Sequence, residues 1–324
     1  MAQTSRRRFT RLSDWYDFLN AARQQGNSQI NLYALRQGCY RDIEEKRGRP
    51  LIVYAVKFPL PPLPPHVPRP PIYIDLEDVD GFVDLVDSIS AKEVDILLHS
   101  PGGSPEATER IVDILRSKFE KVYFLIPHSA YSAATMLALS GDEVVLHWGA
   151  SLGPIDPQIN GIPARALKRG FEKAKKALQE EGPEALPAYV PLIEKYTLEM
   201  LEICEDYEQL SRELVTEWLL MYMFKDKEDK QQIVEKAVSF FSNYDNHRTH
   251  SRALTYSKIK HLNLKIYLAD EELNRLLREA YILLNGFFDV TPFVKVYENS
   301  DGISWGKQFQ VIQQGPQQPQ HPEQ

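Results

Sequence analysis

Ser132 lies in the run Ser129-Ala130-Tyr131-Ser132-Ala133-Ala134-Thr135, 29 residues beyond Gly103 of Ser100-Pro101-Gly102-Gly103. Glycines that end a strand offer N–H groups a ligand can approach closely, because no Cβ stands in the way. A serine among small residues at the opening of a helix offers a hydroxyl nucleophile with another N–H beside it. Together these turns hold the parts needed for acyl transfer: an attacking oxygen and donors for an oxyanion.

The elements around them follow from the hydrophobic pattern. Val94-Asp95-Ile96-Leu97-Leu98-His99 reads as a buried strand ending in the Pro-Gly-Gly turn. Ala107 to Phe119 has helical spacing, with Ile111, Ile114 and Leu115 facing inward. Val122 to Pro127 is a second buried strand, Ser132 to Ser140 a short helix, and Glu143 to Leu146 a third strand. Strand, helix, strand, helix, strand at this pitch predicts an α/β fold with a parallel sheet and right-handed crossovers. Both turns then fall at one sheet edge, the carboxyl ends of the strands, where such sheets place ligands.

Upstream, residues 11–45 read as helical and amphipathic, and Leu51 to Val56 as a short buried strand. Phe58 to Pro71 holds eight prolines in fourteen residues, so it is extended chain: a connector, an oligomer arm or a partner-binding segment. Val79 to Ile89 is helical. Residues 164–240 are mostly helical, with a break at Gly182-Pro183, and a further mixed unit runs from His247 to about Phe309. The organisation expected is an N-terminal helical and extended segment over 1–71, a catalytic domain over 72–270, a mixed segment over 271–312 and a disordered Gln/Pro-rich tail over 313–324.

Composition narrows the class. A 43% hydrophobic share in 324 residues supports a sizeable core. A net charge of −7, spread along the chain, gives no support to nucleic-acid binding. Two cysteines cannot make a disulfide framework. No segment approaches the roughly 18 apolar residues of a membrane span, and the N-terminus does not read as a signal peptide. The cytoplasm is the expected location. His247, His250 and His261 lack a helix-spaced carboxylate partner, so surface or capping roles are expected of them and no metal.

The ordered set His99-Ser100-Pro101-Gly102-Gly103, Ser132-Ala133-Ala134-Thr135 and Leu152-Gly153-Pro154-Ile155-Asp156-Pro157-Gln158 resembles the ClpP/crotonase superfamily, and most closely its SppA-like branch, the serine dehydrogenase proteinase family. The match covers about residues 72–180 well and the flanks loosely. The resemblance implies a ClpP/crotonase-like spiral of β-β-α units with additional helices, a homo-oligomer, and serine peptidase activity on peptide or protein substrates, with no cofactor. It maps the oxyanion donors onto Gly103 and Ala133, and puts Gly102 in the substrate-binding turn. Asp156 sits in a turn that is either a rigid loop or a wall of the substrate groove.

The base is less directly indicated. The histidine of ClpP falls, without gaps, near Asp156 and Pro157, and no histidine is there; His147 reads as structural. SppA-like relatives use a lysine, which must be desolvated to lose its proton. Leu167, Phe171, Ala174 and Leu178 form an apolar stripe. Lys168 and Lys175 flank it, whereas Lys173 and Lys176 point away, although ungapped family spacing lands near Lys173. Lys168 is therefore the expected base and Lys175 the second choice. The expected enzyme is a Ser–Lys peptidase working through an acyl-enzyme. A crotonase-like acyl-CoA enzyme and a non-catalytic oligomeric scaffold are the alternatives.

Overall fold

The computed structural model describes residues 6–25, 30–60, 67–193 and 196–310. The disordered tail expected over 313–324 and Leu63 of the proline-rich arm lie outside the described residues.

The strands are β1 (Leu51–Val56), β2 (Glu93–His99), β3 (Lys121–Ile126), β4 (Ser129–Ala130), β5 (Glu143–Leu146), β6 (Ser151–Leu152), β7 (Gln158–Ile159), β8 (Ile162–Pro163), β9 (Leu254–Thr255), β10 (Ile266–Leu268), β11 (Phe293–Asn299) and β12 (Ser304–Gln308). The helices are α1 (Leu12–Gln24), α2 (Leu32–Arg47), α3 (Asp78–Asp87), α4 (Pro105–Lys118), α5 (Ala133–Leu139), α6 (Ala164–Glu181), α7 (Leu186–Ile193), α8 (Leu198–Trp218), α9 (Lys230–Ser242), α10 (Tyr244–His247), α11 (Tyr256–Ile259) and α12 (Glu271–Val290).

Seven strands form one sheet in the order β10-β5-β3-β2-β1-β11-β12. Pairing is parallel from β10 to β1 and antiparallel across β1–β11 and β11–β12. Alternate side chains of β1 enter different cores, as a strand with both faces covered requires. Ile52, Tyr54 and Val56 pack with α3, α4, α5, α8 and α9, while Leu51, Val53 and Ala55 pack with α2 and α12. The parallel α/β sheet expected around Ser132 is present.

A second, smaller layer follows the carboxyl ends of these strands. β4 pairs with β6 and β6 with β9, while bridges join Ser100 to Ala130 and Ile74 to Gly103. Main strand, short strand, helix is thus the repeat, seen most plainly in β3-β4-α5. This is the β-β-α arrangement the motifs imply.

Several expectations are corrected. The helical stretch at 11–45 is two helices, α1 and α2. α4 begins at Pro105, not Ala107, because the Ser104 hydroxyl accepts the Ala107 N–H at 3.0 Å and proline suits the first turn. The compositional boundaries at 71 and 270 do not divide the sheet, since β1 pairs with both β2 and β11. α8 and the π-helical turn after it (Leu219–Met223) bury most of their apolar side chains inside the subunit: Leu214, Val215, Trp218, Leu219, Met223 and Phe224 lie in its core. Met221 remains exposed. Among the described residues no helix is long and apolar enough to cross a membrane.

Candidate active site

Ser132 occupies the hinge between β4 and α5. Its backbone sits at φ 50° and ψ −124°, a conformation that L-residues rarely adopt. Strain of this kind persists only where the surroundings over-determine it. Here they do. Tyr131 N–H donates to Ser100 O at 3.1 Å and Ala134 N–H to Tyr131 O at 2.9 Å. Thr135 Oγ1 donates to Ala130 O at 2.7 Å and accepts Gly153 N–H at 2.9 Å, pinning the helix start to the chain beyond β6.

The glycine turn is drawn against this hinge. Gly102 has φ +99°, and a Cβ there would lie 2.4 Å from Tyr131 O and 2.7 Å from Ser132 Cβ. On the other side, a Cβ on Gly103 would lie 2.2 Å from Ile74 O. Only glycine permits both approaches. The Gly102 N–H is used, donating to Ser100 Oγ at 3.1 Å. The N–H groups of Gly103 and Ala133 have no partner among the described residues.

Ser132, Ala133 and Gly103 line a cavity of about 610 Å³. Its other walls include Phe58, Tyr73 and Tyr131, Ile155 and the segment from Pro157 to Asn160, Ile203 and Tyr207, and His250. The lining is largely apolar and aromatic, and among the described residues no lysine or arginine belongs to it.

His250 follows α10, and Asp156 follows β6. His250 Nδ1 lies 3.1 Å from Asp156 Oδ1. Asp156 is only 3% exposed, and neither of its carboxylate oxygens has an aligned hydrogen bond among the described residues. A buried carboxylate without aligned donors is costly. The His250 ring nitrogen is the group set against it, and loose alignment is common before a substrate is bound. The loop holding Asp156 is fixed through its backbone: Ile155 N–H donates to Phe241 O and Ala164 N–H to Pro157 O, each at 3.0 Å.

Residues 24–283 match the model of the ClpP-like SDH-type serine proteinases. The chain belongs to this family. It is 28% identical over 240 residues to the uncharacterized protein MJ1495 of Methanocaldococcus jannaschii, covering 71% of each chain. It is 30% identical over 106 residues to the uncharacterized protein MJ0137 of the same organism, covering 32% of this chain and 37% of that one. Among solved structures, a membrane-bound stomatin-specific protease is 17% identical, with 62% of this chain and 77% of that one covered and a TM-score of 0.35. The ClpP protease catalytic domain from Plasmodium falciparum is 13% identical, with 61% and 82% covered and the same TM-score of 0.35.

The positions expected of this SDH-type proteinase divide sharply. Ser132, Gly102, Gly103 and Ala133 come together as their motifs imply, and Asp156 lies behind the same cavity. The lysines do not join them. Lys168 opens onto a separate polar cavity of about 320 Å³, across Pro157, and pairs with Glu208 at 3.1 Å and Glu205 at 3.2 Å. Burial favours its neutral amine, but the two glutamates outweigh burial and hold it above the ordinary lysine range. Lys175 is exposed on α6, as are Lys173 and Lys176. On α6, Leu167 of the apolar stripe packs with Ala164 and with Cys204 of α8 in a small core that does not include Ser132, and Ala174 is also buried.

His250, expected from the sequence to have a surface or capping role, instead lines the Ser132 cavity beside Asp156. The available signal was Asp156 standing where ClpP has its histidine, with a histidine pair downstream. Of that pair, His247 is structural: its Nε2 contacts Phe240 O at 2.6 Å, and burial lowers its pKa. His147 is also structural, accepting Gly149 N–H on Nδ1 at 3.1 Å.

Proposed function

We propose that this chain is a serine peptidase of the Ser–His–Asp type, with Ser132 as nucleophile, His250 as base and Asp156 as its orienting carboxylate. The observation that carries the reading is the strained Ser132, set between two unpartnered N–H groups in a cavity that His250 also lines. With Nδ1 turned to Asp156, the His250 Nε2 is the nitrogen left for the hydroxyl proton.

Ser132 Oγ attacks the peptide carbonyl as His250 takes its proton. The oxyanion is held by the Gly103 and Ala133 N–H groups. Collapse expels the amine, which receives the proton from His250. Water then attacks the acyl-enzyme, giving its proton to His250 and releasing acid and free serine. No metal or cofactor enters this scheme. Gly102 and the Asp156 loop form walls of the peptide groove.

The Ser–Lys alternative requires Lys168 to leave Glu205 and Glu208 and pass Pro157; Lys175 starts from solvent. Labelling by a fluorophosphonate tests the proposal. Wild-type protein should be modified on Ser132, Lys168→Met should label at the same rate, and His250→Ala should label far more slowly. Absence of any Ser132 adduct would favour an acyl-CoA enzyme or a scaffold. A cytoplasmic setting agrees with two buried free cysteines, and exposed Leu186 and Val190 on α7 suit a homo-oligomer, which light scattering can test.

A further inference from the structure

Lys295 on β11 is fully buried, and its ammonium faces residues 73–75, an extended segment bridged to the glycine turn through Ile74. Nζ donates to Tyr73 O at 2.6 Å, to Asp75 Oδ2 at 3.1 Å, and to both Asp78 oxygens at 2.8 and 3.0 Å. Asp78, equally buried, also accepts the Tyr54 hydroxyl at 2.9 Å, the Tyr297 hydroxyl, and the Asp75 N–H at 3.0 Å. One ion pair therefore grips residues 73–75 by a carbonyl, an amide and a side chain.

The opposite edge of the same segment holds the glycine turn. Ile74 N–H donates to Gly102 O at 2.8 Å and Ser104 N–H to Ile74 O at 2.9 Å. Those two bonds flank Gly103 and leave its own N–H unpaired on the cavity side. With glycines at 102 and 103, the turn has little stiffness of its own. Whatever fixes Ile74 fixes the direction of that N–H.

We propose that Lys295 is a positioning residue for the oxyanion donor: with Asp78 it clamps residues 73–75, and through Ile74 it aims the Gly103 amide. This rests on the reading of Gly103 as an oxyanion donor. A strongly preorganised dipole matters because misplacement by a fraction of an ångström weakens the transition-state contact while leaving ground-state binding nearly intact.

Two readouts test the clamp in the 324-residue chain. The first is amide hydrogen exchange. In Lys295→Met the Ser104 N–H should exchange at least about tenfold faster, with the amides of β3 unchanged. The second is kinetics normalised by active-site titration. kcat per titrated site should fall at least about tenfold with KM changed less than about threefold, and a peptide boronic acid should lose affinity in step with kcat/KM. If Lys295→Met does not fold, Asp75→Asn at the partly exposed end of the clamp should move the same quantities by about threefold. Unchanged exchange over residues 102–104 overturns the clamp. Faster exchange with wild-type kcat overturns its link to catalysis. Failure of wild-type protein to label at Ser132 removes the peptidase reading, while exchange still decides the clamp.

Discussion

Ser132 and Gly103 stand on turns that follow neighbouring strands of one buried parallel sheet. His250 and Asp156 stand on chain outside that sheet, joined by a single 3.1 Å contact. The first pair is held by main-chain bonds from both sides, and the side chains that serve it, Thr135 and on the proposed clamp Lys295 and Asp78, act by fixing the backbone segments those bonds reach. The second pair depends on the packing of α9 and α10 and on one imidazole meeting one carboxylate. A sheet edge fixes backbone donors to fractions of an ångström, whereas loops deliver side chains that tighten when substrate arrives. The peptidase reading divides the labour in that way.

The largest test of this division removes the nucleophile. Ser132→Ala should reduce turnover by roughly 10⁴-fold or more with little change in Tm. Peptidase activity persisting in purified Ser132→Ala protein would refute the assignment. On the loop side, His250→Ala should reduce kcat/KM by roughly 10²–10⁴. Lys168→Met, by contrast, should leave it within about threefold, because that amine is engaged with Glu205 and Glu208. A reversed order, with Lys168→Met inactive and His250→Ala normal, would restore the Ser–Lys mechanism.

The sheet side can be probed through its donors. Gly103→Ala puts a Cβ against the Ile74 backbone and displaces the N–H, so kcat should drop by roughly 10²–10³ in protein that still folds. Wild-type kcat in a folded Gly103→Ala protein would show the turn to be structural only.

The smallest effect concerns stability. Burial pushes His147, at the end of β5, down to about 4, with Arg278 and His128 adding to the shift. In the unfolded chain the ring protonates near its ordinary 6.5, so between these values the unfolded state binds the proton first. Stability is therefore complete above pH 6.5 and declines as pH falls toward 4, by at most roughly 3 kcal/mol from this group. Urea unfolding at pH 7 and pH 4.5 should show the decline, reduced in His147→Gln. Equal slopes in both proteins would contradict it.

Much of the sheet side was legible in sequence because its parts are local. Strand, turn and helix recur over residues 93–146, and the glycine and serine motifs fall at the strand ends where the pitch puts them. The loop side was not, since nothing local marks His250 as a partner of Asp156. That contact exists because β6 pairs with β9 and because Ile155 bonds to Phe241. The helical phasing of α6 did place Lys168 beside the apolar stripe, but the stripe faces α8 and not Ser132. Periodicity tells which residues are covered, not what covers them. The seat of β11 in the main sheet was equally hidden, as an antiparallel neighbour can arrive from any distance in the chain.

That distance shapes how the molecule is made. β1 cannot complete its pairing until Asn299 lies opposite Ile52, so the last long strand closes against the first. Contacts of such separation form late, after the loop between them has been drawn in. A growing chain presents Ser132 and its glycine turn well before His250 or Lys295 has been synthesised. On the proposed mechanism a nascent or truncated copy carries a nucleophile with neither base nor clamp. Synthesis itself then withholds hydrolytic power until the C-terminal strands have docked.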